Sequence, residues 1–396
     1  MAALQAAAAR AELQGALIGQ ATLMSLAFAG VDLAPIGRQL RARAESGDAN
    51  AWMDLSCLLQ LVGQVALGLA AQGQALSLNS LYHLPAPAGE AGIKMLALMA
   101  PGDLMTNAPL DFLLEDSDIA LDMLYVGADL PLPPSLPDHD VMFVAAGESA
   151  DTHELLAALA PVVADWPRPV LNRPQMIAAS ARDRVCRTLA AVPGLLLPAT
   201  LRLGRAALAA NAADLAFPLI ARPLDSHAGK GLAKLEAMAD LGDYLAATAA
   251  EEFFVSPFVD YRGADGRFRK YRVVLIDARP YAVHMAISAH WMVHYLNADM
   301  NGDAAKRAEE ADFMENFDSG FGRRHAQPLA AIAERLGLDY LVVDCAEMGD
   351  GRLLVFEVDT GAVVHLMDPP ELFPYKPPQM RKVFAAFRQM LAVRVP

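Results

Sequence analysis

Three carboxylates near the C-terminus, Asp344, Glu357 and Asp359, have the types and spacing to hold a divalent cation. Like charges that lie opposite one another destabilise a sheet, so a cluster of three needs something to offset it. Hard oxygen ligands of this kind suit Mg²⁺ or Mn²⁺. The alternative interpretation is a solvated acidic edge of a hairpin.

The pairing of these residues follows from counting along residues 338–359, LDYLVVDCAEMGDGRLLVFEVD. Apolar, β-branched runs flank Asp350-Gly351, and this dipeptide is typical of a two-residue hairpin loop because both loop residues need a positive φ. Counting outward from that loop places Asp344 directly opposite Glu357, with Cβ atoms roughly 5 Å apart. Strand side chains alternate between faces, so Asp359 lies on the same face. The opposite, core-facing side would carry Val343, Cys345, Leu354, Phe356 and Val358.

A second segment has the composition of a phosphate-binding loop. Residues 217–223, FPLIARP, predict a strand, residues 224–231, LDSHAGKG, a glycine loop, and residues 232–236, LAKLE, a returning strand. Such a loop can fold over a polyphosphate and present backbone N–H groups together with the Lys230 ammonium. It is not a Walker A motif, because the GxxxxGK[ST] spacing is absent. An ordinary turn between two strands is the alternative.

The composition restricts the class of protein. With 396 residues and 55% hydrophobic content, the chain can bury a large core, and its length predicts roughly two to three domains. The net charge of −14 argues against an extended nucleic-acid surface, which needs a basic stripe. Three cysteines without metal-ligand spacing predict a reduced, cytoplasmic protein. The N-terminal sequence lacks the pattern of an export signal, and Gln60 and Gln64 interrupt the most apolar stretch, so we expect neither export nor membrane insertion.

Residues 1–84 predict an all-α segment, because they are rich in Ala, Leu and Gln with helical periodicity. Within it, residues 47–55, GDANAWMDL, are similar to the start of a tetratricopeptide or Sel1-type repeat, which carries a W-x₂-L element. An ordinary helical hairpin is the alternative, since only one such unit is visible in the sequence.

A new domain is predicted after the linker at residues 85–89. Strand patterns over 93–99, 122–126 and 140–144 precede a helix over 152–164. Helices that alternate with apolar strands indicate an α/β unit with a mainly parallel sheet.

The order of elements over residues 90–396 resembles the ATP-grasp superfamily, particularly its RimK-like and glutathione-synthetase-like carboxylate–amine ligases. Three motifs carry the resemblance: PVLNRP followed by SARDR at 169–184, FPLIARP followed by SHAGKG at 217–231, and the acidic hairpin. The implied fold is an α/β ATP-grasp fold, preceded by a small Rossmann-like α/β domain and an all-α helical domain. The implied boundaries are 1–88 for the helical, TPR-like domain, 89–166 for the α/β domain and 167–396 for the ATP-grasp domain, with a lid and phosphate-loop subdomain at 167–255 and a metal-binding and substrate subdomain at 256–396.

The resemblance also implies which residues contact the nucleotide. Arg184, the cation after Asp183, would contact phosphate, and Arg222 stands where the family usually has a lysine. Arginine stays cationic and can bind phosphate bidentately, so the departure is compatible with ATP binding. The backbone of Phe253, Phe254 and Val255 would read the adenine edge, and Asp260 would accept the ribose hydroxyls. The flexible loop would contribute Ser226, His227, Gly229, Lys230 and Gly231.

The catalytic residues implied by the resemblance are Arg272, Lys230 and His294. Arg272 corresponds to the arginine that faces the reacting phosphoryl group. His294 lies in HWMVHY, residues 290–295, where relatives line the acceptor pocket. Packing of the aromatic residues of this segment against the core is the alternative. At Asp359 the family usually has an asparagine, and an aspartate is also a competent Mg²⁺ ligand.

The activity that the resemblance implies is ATP-dependent ligation with Mg²⁺ or Mn²⁺. ATP would phosphorylate a substrate carboxylate, and an amine would displace phosphate from the acyl phosphate to form an amide or peptide bond. We expect small-molecule or peptide substrates, a homodimer, and neither nucleic acid nor membrane as a partner. Two alternatives stay open: a peptide-modifying enzyme whose helical domain binds a polypeptide, and a non-catalytic ATP-binding scaffold.

Overall fold

The computed structural model describes residues 15–224, 226 and 229–395 and has an α/β architecture with a helical N-terminal segment, which confirms the predicted fold class. No helix within these residues is both long and apolar enough to span a membrane. The helices α1 to α13 are Gln20–Phe28, Ala34–Glu45, Ala49–Leu61, Val65–Leu78, His153–Ala164, Pro174–Ala178, Arg182–Thr188, Arg205–Ala210, Asp240–Ala247, Ala304–Glu315, Phe321–Arg324, Ala326–Leu336 and Lys376–Ala392. The strands β1 to β14 are Leu81–Leu84, Ile93–Met99, Ile119–Tyr125, Val141–Val144, Val170–Leu171, Leu195–Leu196, Leu201–Gly204, Leu219–Pro223, Ala233–Leu235, Glu252–Pro257, Phe268–Ile276, Arg279–Ser288, Tyr340–Glu347 and Leu353–Asp359.

The chain divides into two compact units. Unit 1 comprises the described parts of Met1–Glu148, Thr152–Ile177 and Thr360–Pro396, and unit 2 comprises the described parts of Ser149–Asp151 and Ala178–Asp359. The domain boundaries predicted from the sequence stay a prediction.

Unit 1 contains a five-stranded sheet in the order β1-β3-β2-β4-β5. Strands β3, β2, β4 and β5 run parallel, and β1 pairs antiparallel with β3. Residues 95–98 of β2 and all of β4 have no exposed side-chain surface, as expected for a parallel sheet that is covered on both faces. The predicted mainly parallel sheet is therefore confirmed.

The helical segment of unit 1 includes a close-packed hairpin of α3 and α4. Gly68 of α4 lies against α3, where an added Cβ would come within 2.8 Å of the Ser56 carbonyl oxygen. Only glycine fits this approach without displacing backbone. Residues 49–78 thus form a helical hairpin, the second of the two interpretations, and the TPR-like assignment gains no support.

Two carboxylates, the buried Asp54 and the half-buried Asp111, hold the start of α1. Asp54 accepts hydrogen bonds from the backbone N–H groups of Ile18 and Gly19 at 2.8 and 3.1 Å. Asp111 accepts one from Ala21 at 2.6 Å. Negative charge at a helix N-terminus interacts favourably with the helix dipole. Burial nevertheless dominates, and it raises the pKa of Asp54 to about 7 and that of Asp111 to about 6.

These shifts predict that unit 1 loses stability as the pH rises from about 5 to 8. A raised pKa means that the folded state holds its proton more tightly than the unfolded chain, so the stabilisation is complete below pH 3.8 and is lost as the pH passes about 7. Urea unfolding followed by Trp52 fluorescence should give a lower midpoint at pH 8 than at pH 5, and Asp54→Asn should flatten the upper part of this dependence. A midpoint that rises with pH in the wild type would contradict the assignment.

Unit 2 contains two further sheets. The first has the order β7-β10-β8-β9 with antiparallel neighbours, and the glycine loop connects β8 to β9. The second has the order β12-β11-β13-β14-β6 and is antiparallel except for the pair β14 and β6. The acidic hairpin is β13 and β14, so it lies in the middle of the second sheet rather than at a solvated edge.

Candidate nucleotide and metal site

The acidic hairpin has the predicted pairing of carboxylates. Asp344 lies directly opposite Glu357, and Asp359 pairs with Val342, which is two residues from Asp344 on the same strand. Strand alternation therefore places all three carboxylates on one face. This part of the sequence prediction is confirmed.

The turn of the hairpin differs from the prediction. Met348 and Arg352 close it, with the Met348 N–H donating to the Arg352 carbonyl at 2.9 Å, so the loop has three residues and only Gly351 has a positive φ, of 85°. The extra loop residue shifts the register by one. A bulge at Phe356 shifts it back, and the carboxylates meet as predicted. Between loop and bulge the faces are exchanged, so Leu354 shares the face of the carboxylates instead of the opposite face.

Asp344 is held by two cations of the neighbouring strand β11. Arg272 lies opposite Asp344, and its Nε and Nη2 donate to the two carboxylate oxygens at 2.8 and 2.9 Å. Lys270 Nζ lies 2.6 Å from Oδ2. The Asp344 side chain is only 1% exposed. Its burial raises the pKa, but Arg272 and Lys270 outweigh burial and hold the pKa of Asp344 well below its usual range.

Glu357 is held by two arginines from outside the hairpin. Arg182, the first residue of α7, forms an ion pair with Glu357 and also donates to the Phe356 carbonyl at 3.2 Å. Arg222 on β8 approaches the same carboxylate oxygen at 3.8 Å. Arg222 also bonds Ser226 through Nε at 3.3 Å, so the first residues of the glycine loop are tied to this cluster.

The predicted phosphate contact Arg184 requires a correction. Its side chain is exposed, and it donates to the Ala178 carbonyl at 3.0 Å. Residues two apart on an α-helix point about 200° apart, so only one of Arg182 and Arg184 can face the hairpin. The structure places Arg182 there.

Of the remaining glycine-loop residues, the structure describes Gly229, Lys230 and Gly231. Gly229 and Gly231 have φ values of 77° and 69°, which glycine adopts without strain. Tyr244 fixes the end of the loop by donating to the Gly231 carbonyl at 3.0 Å. Lys230, between the two glycines, is exposed. His227 lies outside the described residues.

The predicted adenine hinge also requires a correction. Phe253, Phe254 and Val255 lie in the central strand β10, and each pairs with β7 on one side and with β8 on the other. Their backbone groups are therefore used within the sheet and do not face a base. The strand ends at Pro257, and the Phe258 N–H still donates to the Pro218 carbonyl at 2.9 Å. Asp260, in the segment after the strand, forms an ion pair with Arg262.

His294 joins the cluster around Asp344. Its pKa is lowered, first by desolvation and then by the positive charges of Lys270 and Arg272. An imidazole with a lowered pKa is neutral at pH 7 and can accept a proton. The structure thus brings together one predicted catalytic arginine, one predicted histidine and the three carboxylates. Arg182 and Lys270, which sequence reasoning missed, complete the group. Alternation along β11 could have revealed Lys270, because it lies two residues before Arg272.

The carboxylates fit Mg²⁺ or Mn²⁺ by donor chemistry, since all their ligand atoms are hard oxygens. Their arrangement, however, is that of ion pairs. Within residues 15–224, 226 and 229–395, no group of three or more His, Cys, Asp or Glu side chains is placed to hold a metal ion. Arginine and lysine supply the positive charge that Asp344 and Glu357 need, and on Asp344 these cations occupy both carboxylate oxygens.

Three solved structures are similar in fold to this chain. A RimK-domain ATP-grasp protein from Sphaerobacter thermophilus is 21% identical with a TM-score of 0.44, over 76% of this chain and 99% of that chain. The VanG D-Ala:D-Ser ligase from Enterococcus faecalis is 14% identical with a TM-score of 0.47, over 76% and 99%. The D-alanine–D-alanine ligase from Bacillus anthracis, in complex with ATP, is 13% identical with a TM-score of 0.45, over 76% and 98%. No family model and no curated protein matches the sequence. Likenesses this distant do not transfer residues or substrates to this chain.

Proposed function

We propose that unit 2 binds ATP in the manner of an ATP-grasp ligase, and that the protein joins a carboxylate to an amine through an acyl phosphate. One observation carries this proposal. A single face of β11, β13 and β14 presents cations and carboxylates at bonding distance, including the bidentate pair of Arg272 and Asp344. Phosphoryl transfer depends on such positioned charges, because its transition state spreads negative charge over the phosphoryl oxygens.

Each residue of the cluster has a role in this reaction. Arg182 and Arg222 would hold the polyphosphate, with Lys230 above it on the loop. Arg272 would face the transferring phosphoryl group, where a preorganised cation stabilises developing charge. Magnesium ions held by Asp344, Glu357 and Asp359 would neutralise further phosphate charge.

The amine step needs a proton acceptor. An amine that attacks an acyl phosphate forms a C–N bond while the C–O bond to phosphate breaks, and the attacking nitrogen must then lose a proton. We assign this role to the imidazole of His294, which desolvation and the neighbouring cations keep neutral by lowering its pKa. Adenine would be read by the backbone that follows Pro257, with Asp260 near the ribose.

Several finer points belong to the same proposal. The substrates are a small-molecule or peptide carboxylate and an amine, the protein acts in the cytoplasm, and a homodimer is its expected state. Unpaired Cys57, Cys186 and Cys345 are compatible with a reducing compartment.

The test is the identity of the released products. Protein incubated with Mg-ATP and a pool of amino acids and short peptides should release ADP and phosphate in equal amounts, in a manner that depends on the pool. AMP and pyrophosphate would instead indicate an adenylating enzyme. Nucleotide binding without turnover on any pool would favour the non-catalytic scaffold.

A further inference from the structure

In the candidate site, four cations form ion pairs with two of the carboxylates. Asp344 lies between Lys270 and Arg272, at 2.6 and 2.8 Å. Glu357 lies between Arg182 and Arg222, the second at 3.8 Å. The groups suited to phosphate are thus bound to the groups suited to metal.

Burial of Asp344 makes its ion pairs costly to separate. The side chains of Lys270 and Arg272 are 18% exposed, and that of Asp344 is 1% exposed. The cations cannot turn towards a phosphate without leaving a buried carboxylate unpaired, and an unpaired buried charge is strongly unfavourable. By the same reasoning, a metal ion that takes both oxygens of Asp344 leaves Lys270 and Arg272 unpaired.

We propose that Lys270 and Arg182 are phosphate-binding residues held by Asp344 and Glu357 until nucleotide and metal arrive together. The carboxylates then exchange their cations for the metal, and the cations exchange their carboxylates for phosphate oxygens. This inference rests on the proposed function, because it requires both ligands to bind this face. No covalent bond changes in the exchange.

The exchange makes the two ligands cooperative through the protein itself. Each ligand alone must separate ion pairs without compensation, whereas both together leave every charge partnered. Such coupling is reciprocal, and couplings of about 5- to 150-fold in affinity are typical. Because metal and nucleotide also bind each other in solution, the coupling is best measured with each ligand alone.

A variant that removes Arg182 or Lys270 should therefore change the affinity for the metal ion and the affinity for the nucleotide in opposite directions. In Arg182→Met or Lys270→Met, Mn²⁺ alone should bind at least about 5-fold more tightly than in wild type, because its carboxylate has lost a competitor. An ATP analogue in EDTA should bind more weakly, because a phosphate contact is lost. Electron paramagnetic resonance of free Mn²⁺ and calorimetry measure these two affinities.

The matched control is Arg324→Met. Arg324 forms a two-bond pair with Glu347 on β13 but touches none of the carboxylates of the site. It tests the general effect of removing one positive charge. The affinities for Mn²⁺ and for the ATP analogue should both stay close to those of wild type. Two independent site variants guard against misfolding of either one.

If both site variants fold but bind Mn²⁺ no more tightly than wild type, the proposed exchange is wrong. It is also wrong if Arg324→Met changes the affinities for Mn²⁺ and for the ATP analogue as much as the site variants do. Wild-type protein separates this failure from a failure of the proposed function. If it binds the Mg²⁺ complex of the analogue while the variants show no opposite shifts, only the exchange is wrong. If wild type binds no nucleotide at all, the proposed function is wrong as well.

Discussion

Replacing Glu357 by Gln should lower ATP-dependent turnover by at least about 100-fold, the loss typical when one preorganised charge-stabilising group is removed. Glu357 lies at the centre of the site, opposite Asp344 and bound by Arg182. The substitution keeps the shape of the side chain but removes the charge that balances the arginines and that suits a metal. The assay is ADP release on an active substrate pool.

The fold should survive this substitution. The Glu357 and Arg182 side chains are 24% and 25% exposed, so water and the glutamine amide can still solvate Arg182 after the ion pair is lost. Asp350→Asn is the control, since Asp350 lies in the loop of the same hairpin and pairs only with the neighbouring Arg352 among described residues. It should leave turnover unchanged. If Glu357→Gln keeps full turnover, the Glu357 carboxylate has no role in the reaction.

Replacing Arg272 by Ala should destabilise unit 2 by about 3 kcal/mol, at the lower end of the cost of breaking a buried ion pair. The buried Asp344 would lose both hydrogen bonds from the guanidinium. Lys270 stays within reach, which places the expected cost at the low end of the range. In a background that carries Trp52→Phe and Trp166→Phe, Trp291 is the one tryptophan left in the sequence, and its fluorescence during urea unfolding reports on unit 2.

Two further variants interpret that loss. Arg272→Ala combined with Asp344→Ala should recover part of the stability, because the uncompensated charge is then gone. Arg202→Ala breaks an exposed pair with Glu252 in the same unit and should cost at most about 1 kcal/mol. If Arg272→Ala lowers the free energy of unfolding by no more than the surface control does, the pair of Arg272 and Asp344 does not stabilise unit 2 as a buried ion pair.

The sequence predicts the acidic hairpin well because strand alternation and turn chemistry are local. The pairing of Asp344 with Glu357 is correct although the turn is not, since the longer loop and the bulge at Phe356 cancel each other. A bulge depends on tertiary packing and leaves no clear trace in the residue pattern. The shared face of the three carboxylates could therefore be predicted, but not the path of the chain between them and the turn.

The cations of the site could be predicted only in part. Arg222 and Arg272, which the family resemblance indicates, pair with Glu357 and Asp344, whereas Arg182 and Lys270 had no motif of their own. The choice between Arg182 and Arg184 depends on the rotation of a short helix against the sheet, which spacing does not determine. Likewise, strand pairing on both sides of Phe253 cannot be read from the residues of β10 alone.

A crystal structure with an ATP analogue and Mn²⁺ would test the central claim most directly. We predict an anomalous manganese peak bound by Glu357 together with Asp344 or Asp359, next to the nucleotide phosphates, with Arg272 and Arg182 turned to phosphate oxygens. A nucleotide bound elsewhere in unit 2, or manganese that avoids these carboxylates while Arg272 stays on Asp344, would contradict the account.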